Sequence, residues 1–196
     1  MITAVILAAG KSRRMGTPKM LLPFGSGTII ESVITGALAS RADTVLVVLG
    51  AKRRQIRSVV ERFNVDTTIN RRYKRGMLSS VQTGFKNLPE NTRAVLVMLG
   101  DQPSVSPRTI DRLIEVFDKS GKGIVLPVVH GRRGHPILID KKYRAEVLRL
   151  DPEVGLRALI HGHPEDIGEV TVEDTSVLED IDTREDYAEA IKKESP

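Results

Sequence analysis

Four near-continuous apolar runs constrain this chain most: Ala4–Ala9, Thr44–Leu49, Ala94–Leu99 and Ile124–Val129. They lack the polar alternation of a half-exposed strand, which suits strands covered on both faces. Between them lie stretches with helical spacing. Ile29, Ile30, Val33, Ile34, Ala37 and Leu38 share one face, as do Ile56, Val59, Val60 and Phe63, and again Ile110, Leu113, Ile114 and Phe117. The last of these has its own start signal, Ser106 as N-cap followed by Pro107. Strand–helix alternation predicts an α/β chain with a mostly parallel sheet and helices on both sides.

The second half is less regular. His135–Ile139, Val170–Val172 and Val177–Ile181 are shorter strand candidates, so the sheet is expected to be mixed, with at least one antiparallel strand. A final helix is expected from Arg184 to Lys193, capped by Thr183. There is no internal repeat or linker, and 196 residues suit a single domain over 1–196.

Such sheets bind ligands beyond the carboxyl ends of their strands. The segments to inspect are therefore Gly10–Lys19, Asn70–Ser80, Gly100–Pro103, Gly131–Pro136 and Asp180–Asp182. The first is the most telling. It opens on Gly10 and carries Lys11, Arg13, Arg14 and Lys19. Glycine lets backbone N–H groups approach a phosphate closely, and the cations offset its charge. Composition agrees: 30 Lys plus Arg against 25 Asp plus Glu give a net charge of +5, which favours an anionic partner. With 4% aromatic residues and no Trp, stacking platforms for nucleic acid are scarce, and a small phosphorylated molecule fits better. Arg71-Arg72-Tyr73-Lys74-Arg75 accordingly reads as a solvated basic loop beside a phosphate site. The chain has no Cys, hence neither disulfides nor thiolate metal sites. No run reads as a secretory leader or a membrane span, and a cytoplasmic location is the expectation.

Gly10-Lys11-Ser12 is not a P-loop, because Val5 stands where that motif needs its first glycine. No G-x-G-x-x-G follows the first strand either. Asp101, at the end of the most apolar run, is well placed for Mg²⁺, a hard cation that takes oxygen ligands.

Leu7-Ala8-Ala9-Gly10-x-Ser12-x-Arg14-Met15-Gly16-x-x-Lys19 resembles the opening signature of the nucleotidyltransferases that make activated NDP compounds. Within them it is similar to the molybdopterin-guanine-dinucleotide-biosynthesis type, in its molybdenum cofactor cytidylyltransferase branch. The resemblance implies that Leu7, Ala8, Ala9, Gly10 and Lys19 hold an NTP, with Arg14 and Lys19 stabilising charge on the α-phosphate and leaving pyrophosphate. Gly100-Asp101-Gln102-Pro103 resembles the family's metal motif, and Asp180-Ile181-Asp182-Thr183 with Glu185 and Asp186 its second one. It implies that Asp101 and Asp182 converge on one Mg²⁺, Asp101 serving both catalysis and nucleotide binding; Asp180 either stands behind them or serves the helix end. Two carboxylates held close repel unless a cation separates them, which suits a metal site.

Asn70-x-x-Tyr73-x-x-Gly76-Met77-x-Ser79-Ser80 resembles the family segment that opens onto base and ribose, which makes Gly76, Ser79 and Ser80 candidate ligand contacts. The family often has Trp at the position of Tyr73 and Arg at that of Gln82. Gly134-His135-Pro136 resembles the acceptor-side turn, where His135 either bonds substrate phosphate or shapes the turn. Of the family's Gly-Asp-x-Gly-x-Arg segment, this chain keeps Gly155 and Arg157 but has Pro152 and Glu153 first.

The resemblance implies a Rossmann-like three-layer α/β/α sandwich of the nucleotide-diphospho-sugar transferase type. It implies Mg-dependent transfer of a nucleotidyl group from an NTP to a substrate phosphate, with pyrophosphate released. The guanylyl branch has Gly at the position of Ala9, and a methyl there would narrow the space beside the base, so CTP is expected. Molybdopterin is the expected acceptor, with a molybdoenzyme as partner downstream. Two alternatives remain open: another acceptor, such as a sugar or polyol phosphate, or GTP as donor; and a non-catalytic factor that binds molybdenum cofactor and hands it on.

Overall fold

The computed structural model describes residues 1–12 and 14–194. The strands are β1 (Ile2–Ala8), β2 (Pro23–Phe24), β3 (Gly27–Thr28), β4 (Thr44–Leu49) and β5 (Asp66–Ile69). They continue as β6 (Ala94–Leu99), β7 (Ile124–Val129), β8 (Arg132–Arg133), β9 (Ile137–Asp140) and β10 (Ile167–Thr171). The helices are α1 (Ile29–Leu38), α2 (Arg53–Val60), α3 (Met77–Lys86) and α4 (Pro107–Ser120). α5 (Arg144–Arg149), α6 (Arg157–Gly162) and α7 (Arg184–Glu194) complete the set.

The main sheet runs β10-β7-β9-β6-β1-β4-β5, with β8 paired to β7 and the β2–β3 hairpin separate. β1 lies between β4 and β6, parallel to both, and all seven of its residues are buried. β9 is inserted between β6 and β7, antiparallel to both, and β8 is antiparallel to β7. The expected mixed sheet is thus present, with an antiparallel strand in its second half.

Alternate residues of the central strands pack opposite faces. Ile6, Val47 and Leu96 join Val33 and Ile34 of α1, Ile56 of α2 and Ile110 of α4. Val5, Val48 and Val97 join Leu78, Val81 and Phe85 of α3 and Leu159 of α6. This is the three-layer α/β/α sandwich. Each fully buried aliphatic side chain contributes roughly 1.5–3 kcal/mol, so the central strands dominate the stability.

Three local features set the geometry that follows. Gly84 lets α3 lie close over the sheet, since a β-carbon there would come within 2.5 Å of Val5 Cγ1. Ser106 accepts the Thr109 N–H at 3.1 Å and caps α4 as expected. Thr183 caps α7 reciprocally: its Oγ1 accepts the Asp186 N–H at 3.1 Å, and the Asp186 carboxylate accepts the Thr183 N–H at 2.7 Å. α7 then packs Tyr187, Ala190 and Ile191 on Phe24, Ile29 and Ile181, which carries its N-terminal end to the carboxyl edge of the sheet.

One expected strand is absent. Val177–Ile181 begins in a 3-10 turn over Thr175–Leu178 and pairs with no strand. Its apolar residues are buried because this segment lies across the sheet's edge, where the Val177 carbonyl accepts the His135 N–H at 2.9 Å.

Candidate active site

β1 and β6 end side by side, and the loops leaving them define a cavity of about 440 Å³. Its floor is made by Leu7, Ala9, Gly10 and Leu99, and Lys11, Arg14, Lys19 and Lys74 supply positive charge. Asp101 and Asp182 stand on its wall.

The loop after β1 curls back on itself. Ser12 and Gly16 both take left-handed φ, 49° and 70°, and the Ser12 hydroxyl accepts the Lys19 N–H at 3.1 Å. That bond fixes the start of the Lys19 side chain, which runs under the loop with only 8% of its surface exposed. Its Nζ donates to Asp101 Oδ2 at 2.5 Å and to Asp182 Oδ1 at 2.8 Å. Arg14 takes the other oxygen of Asp182 at 2.7 Å, but its side chain is 68% exposed and that pair adds little by itself. Arg13, the remaining cation expected on this loop, lies outside the described residues.

The carboxylates are brought together by backbone. The Ile181 N–H donates to the Asp101 carbonyl at 3.0 Å, which ties the segment before α7 to the end of β6. Gln102 reinforces the tie, its amide donating to Asp180 Oδ1 at 2.7 Å and to the Val177 carbonyl at 3.2 Å. The sequence motif contains Gln102, yet nothing in the pattern marks it as the clamp between the two acidic segments.

Charge states follow from this packing. Burial disfavours the Lys19 ammonium, but Asp101 and Asp182 outweigh it and hold its pKa above the ordinary value. The Lys19 hydrogen bond holds Asp182 below the usual carboxylate value. Asp180 is pushed up, first by burial and then by the charge of Asp101.

Of the nucleotide-binding residues expected from sequence, Leu7, Ala9, Gly10, Lys19, Gly76, Ser80 and Asp101 all border the cavity. Ala8 and Ser79 do not. Ala8 points into the opposite layer, fully buried with Ile6 and Leu49. The Ser79 hydroxyl is engaged by its own loop, donating toward the Gly76 carbonyl at 2.7 Å and accepting from Asn70 Nδ2 at 2.8 Å. Asn70 also donates to Ser80 Oγ at 2.9 Å and accepts the Arg72 N–H at 2.8 Å, which makes it the organiser of this loop. Gln82 donates to the carbonyls of Val147 at 3.1 Å and Leu150 at 2.9 Å, tying down the end of α5.

A second cavity of about 370 Å³ adjoins the first and shares Met77 and Leu99 with it. It is mainly apolar, walled by Leu78, Val81, Val97 and Ile137, with His135, Arg157 and Asp180 as polar groups. Burial drives the His135 imidazole from its ordinary 6.5 down to about 4, against a smaller opposing effect of Asp101. A folded state that binds protons less readily than the unfolded chain is fully stable above pH 6.5 and loses stability as pH falls toward 4. That gap corresponds to roughly 3 kcal/mol, of which about 2.5 kcal/mol is lost by pH 4.5. His135→Asn should therefore flatten the acid limb of stability between pH 6.5 and 4.5, measured by urea melts. Equal slopes in variant and wild type would show that the imidazole is not held neutral.

Among the described residues, no three His, Cys, Asp or Glu side chains converge as a complete metal site. Asp101 and Asp182 still fit Mg²⁺, which is commonly held by one or two carboxylates together with water and substrate phosphates. Among the described residues, no helix is long and apolar enough to cross a membrane.

The family model of the MobA-like NTP transferase domain matches residues 4–167. Molybdenum cofactor cytidylyltransferase of Escherichia coli (strain K12) is 30% identical over 191 residues, 96% of this chain and 95% of that protein. Nicotine blue oxidoreductase of Paenarthrobacter nicotinovorans is 31% identical over 194 residues, 94% of this chain and 93% of that protein. Among solved structures, Rv0371c from Mycobacterium tuberculosis H37Rv superposes with a TM-score of 0.87 at 30% identity, with 97% of each chain covered. The same protein has been solved in complex with manganese, and that structure matches with a TM-score of 0.83 at 27% identity, over 97% of this chain and 98% of that one.

Proposed function

Because this chain belongs to the family of MobA-like NTP transferase domains and is a nucleotidyltransferase, we propose that it transfers CMP from CTP to the phosphate of molybdopterin. A phosphate oxygen of the acceptor attacks the α-phosphorus of CTP. The bond from that phosphorus to the bridging oxygen breaks, and pyrophosphate leaves with the electron pair. The observation that carries this reading is the convergence of Lys19, Asp101 and Asp182 on the wall of one cavity, beside a second cavity of different character.

The chemistry asks little covalent participation of the protein, because a phosphate monoester is already largely ionised near neutral pH. It asks for in-line positioning and for neutralised charge on the phosphoryl oxygens. Lys19 and Arg14 supply positive charge for the triphosphate, while Leu7, Ala9, Gly10, Gly76 and Ser80 bound the nucleotide cavity. Asp101 and Asp182 would hold Mg²⁺, which when bound would neutralise phosphoryl charge as a Lewis acid. The backbone tie from Ile181 to Asp101 keeps the two carboxylates in register whichever cation they hold.

Base and acceptor selection rest on different walls. Ala9, the residue assigned to choosing the pyrimidine, lines the nucleotide cavity and packs closely against Gly50, the residue that follows β4. The apolar second cavity favours a flat heterocycle over a sugar or polyol phosphate, whose hydroxyls would each need a partner there. Arg157 offers the acceptor an anion contact, and His135, neutral near pH 7, offers a hydrogen bond. The product is the cytosine dinucleotide form of the cofactor, destined for a molybdoenzyme in the cytoplasm.

The test is pyrophosphate release across the four NTPs with Mg²⁺, with and without molybdopterin, and with sugar phosphates in its place. Release is expected with CTP and molybdopterin together. Release that follows a sugar phosphate instead would move the acceptor assignment, and none with any NTP would favour a factor that binds the cofactor without transforming it.

A further inference from the structure

We propose that Lys19 is an internal stand-in for the divalent cation, holding Asp101 and Asp182 together until a triphosphate draws its ammonium away. The inference rests on the nucleotidyl-transfer reading for the identity of the incoming anion. Its structural basis is the position of one atom. Lys19 Nζ lies 2.5 Å from Asp101 Oδ2 and 2.8 Å from Asp182 Oδ1, the same two side chains assigned to the metal. Arg14 takes the second oxygen of Asp182 at 2.7 Å, so both oxygens of that carboxylate already face a cation.

A divalent ion would need such oxygens at about 2.0–2.1 Å. An ammonium on the same acceptors competes for their lone pairs and repels the ion at short range, where a partly buried site screens less than open water. Lys19 cannot simply swing into water, because its side chain is 8% exposed and the Ser12 hydroxyl holds its backbone N–H at 3.1 Å. It leaves only for another buried anion. The cavity alongside, which Lys19, Arg14 and Lys11 all border, is where triphosphate oxygens would provide one.

The donor set points the same way. Among the described residues, two carboxylates without a third make an incomplete metal site, and phosphate oxygens complete it. Nucleotide therefore acts twice, removing the competing ammonium and adding ligands. Linkage makes the effect reciprocal, so the metal raises nucleotide affinity by the same factor.

The test titrates the full chain with Mn²⁺, no nucleotide present, and reads free Mn²⁺ by electron paramagnetic resonance. Lys19→Met should bind Mn²⁺ about tenfold or more tightly than wild type, a coupling of ordinary allosteric size. Adding Asp101→Asn to that variant should abolish the gain, and Lys19→Arg, which keeps a cation in place, should behave as wild type. Lys19→Gln provides a polar replacement if the Met variant melts early. Equal Mn²⁺ affinity in wild type and both neutral variants would overturn the stand-in role, as would a gain that survives Asp101→Asn. Pyrophosphate release judges the transfer reaction separately: normal release beside equal Mn²⁺ affinities rejects the stand-in and leaves the reaction intact.

Discussion

Asp101→Ala should lower pyrophosphate release at saturating substrates by at least ~10²-fold, the usual cost of removing one group that stabilises transition-state charge. The fold should survive. What ties Asp101 to the rest of the site structurally is its backbone carbonyl, which accepts the Ile181 N–H at 3.0 Å and is untouched by the substitution. The Lys19 ammonium keeps Asp182 at 2.8 Å, so it is not left as an unpaired buried charge. A stability loss of about 1–2 kcal/mol is expected, the range for one lost charge-assisted hydrogen bond whose donor retains a second acceptor. Thermal melts and release assays on the same preparation separate the two effects. Near-normal Mg²⁺-dependent turnover in a well-folded Asp101→Ala protein would remove Asp101 from the catalytic assignment.

The fold was most legible where burial is complete. Thr44–Leu49, Ala94–Leu99 and Ile124–Val129 are strands with those boundaries, because only a two-sided cover tolerates uninterrupted apolar runs. β5 escaped notice for the converse reason. It is an edge strand, Asp66-Thr67-Thr68-Ile69, whose residues are exposed or half-buried, so its composition looks like loop. Val177–Ile181 misled in the other direction: apolar residues buried by a loop that crosses the sheet's edge give the same local signal as a short strand.

At the candidate site, the sequence indicated which segments lie at one edge of the sheet but could not say where side chains point. Asp101 and Asp182 do converge, and the cation the structure sets between them is the Lys19 ammonium. Ser79 and Ser80 are adjacent in the same motif, yet only Ser80 borders the cavity, because Ser79 is drawn into the hydrogen bonds that shape its loop. Gln82 has a structural use that spacing alone does not reveal, since its amide secures the end of α5.

Gly50→Ala should be as damaging to transfer as the loss of a charged group, although Gly50 carries no chemistry. It follows β4 directly, and the next residue, Ala51, donates its N–H to the Ala9 carbonyl at 3.2 Å. A β-carbon at position 50 would fall 2.6 Å from the Ala9 methyl, 2.8 Å from its carbonyl oxygen and 2.9 Å from its Cα. None of these atoms is the free end of a flexible chain, so relief requires moving the backbone of residue 9, where the cavity floor begins. Overpacking of this kind costs about 1–3 kcal/mol. A displacement of about 1 Å at a positioning element can cost about 10²-fold in rate. The expected result is a protein that still folds but shows a raised KM for nucleotide and a rate down by that order. Combining it with Ala9→Gly removes the shortest contact while leaving those to the carbonyl oxygen and Cα. The double variant should therefore regain part of the lost stability and only part of the rate. Gly50→Ala with wild-type KM and kcat would show that the contact between β4 and the first loop does not set the position of the nucleotide.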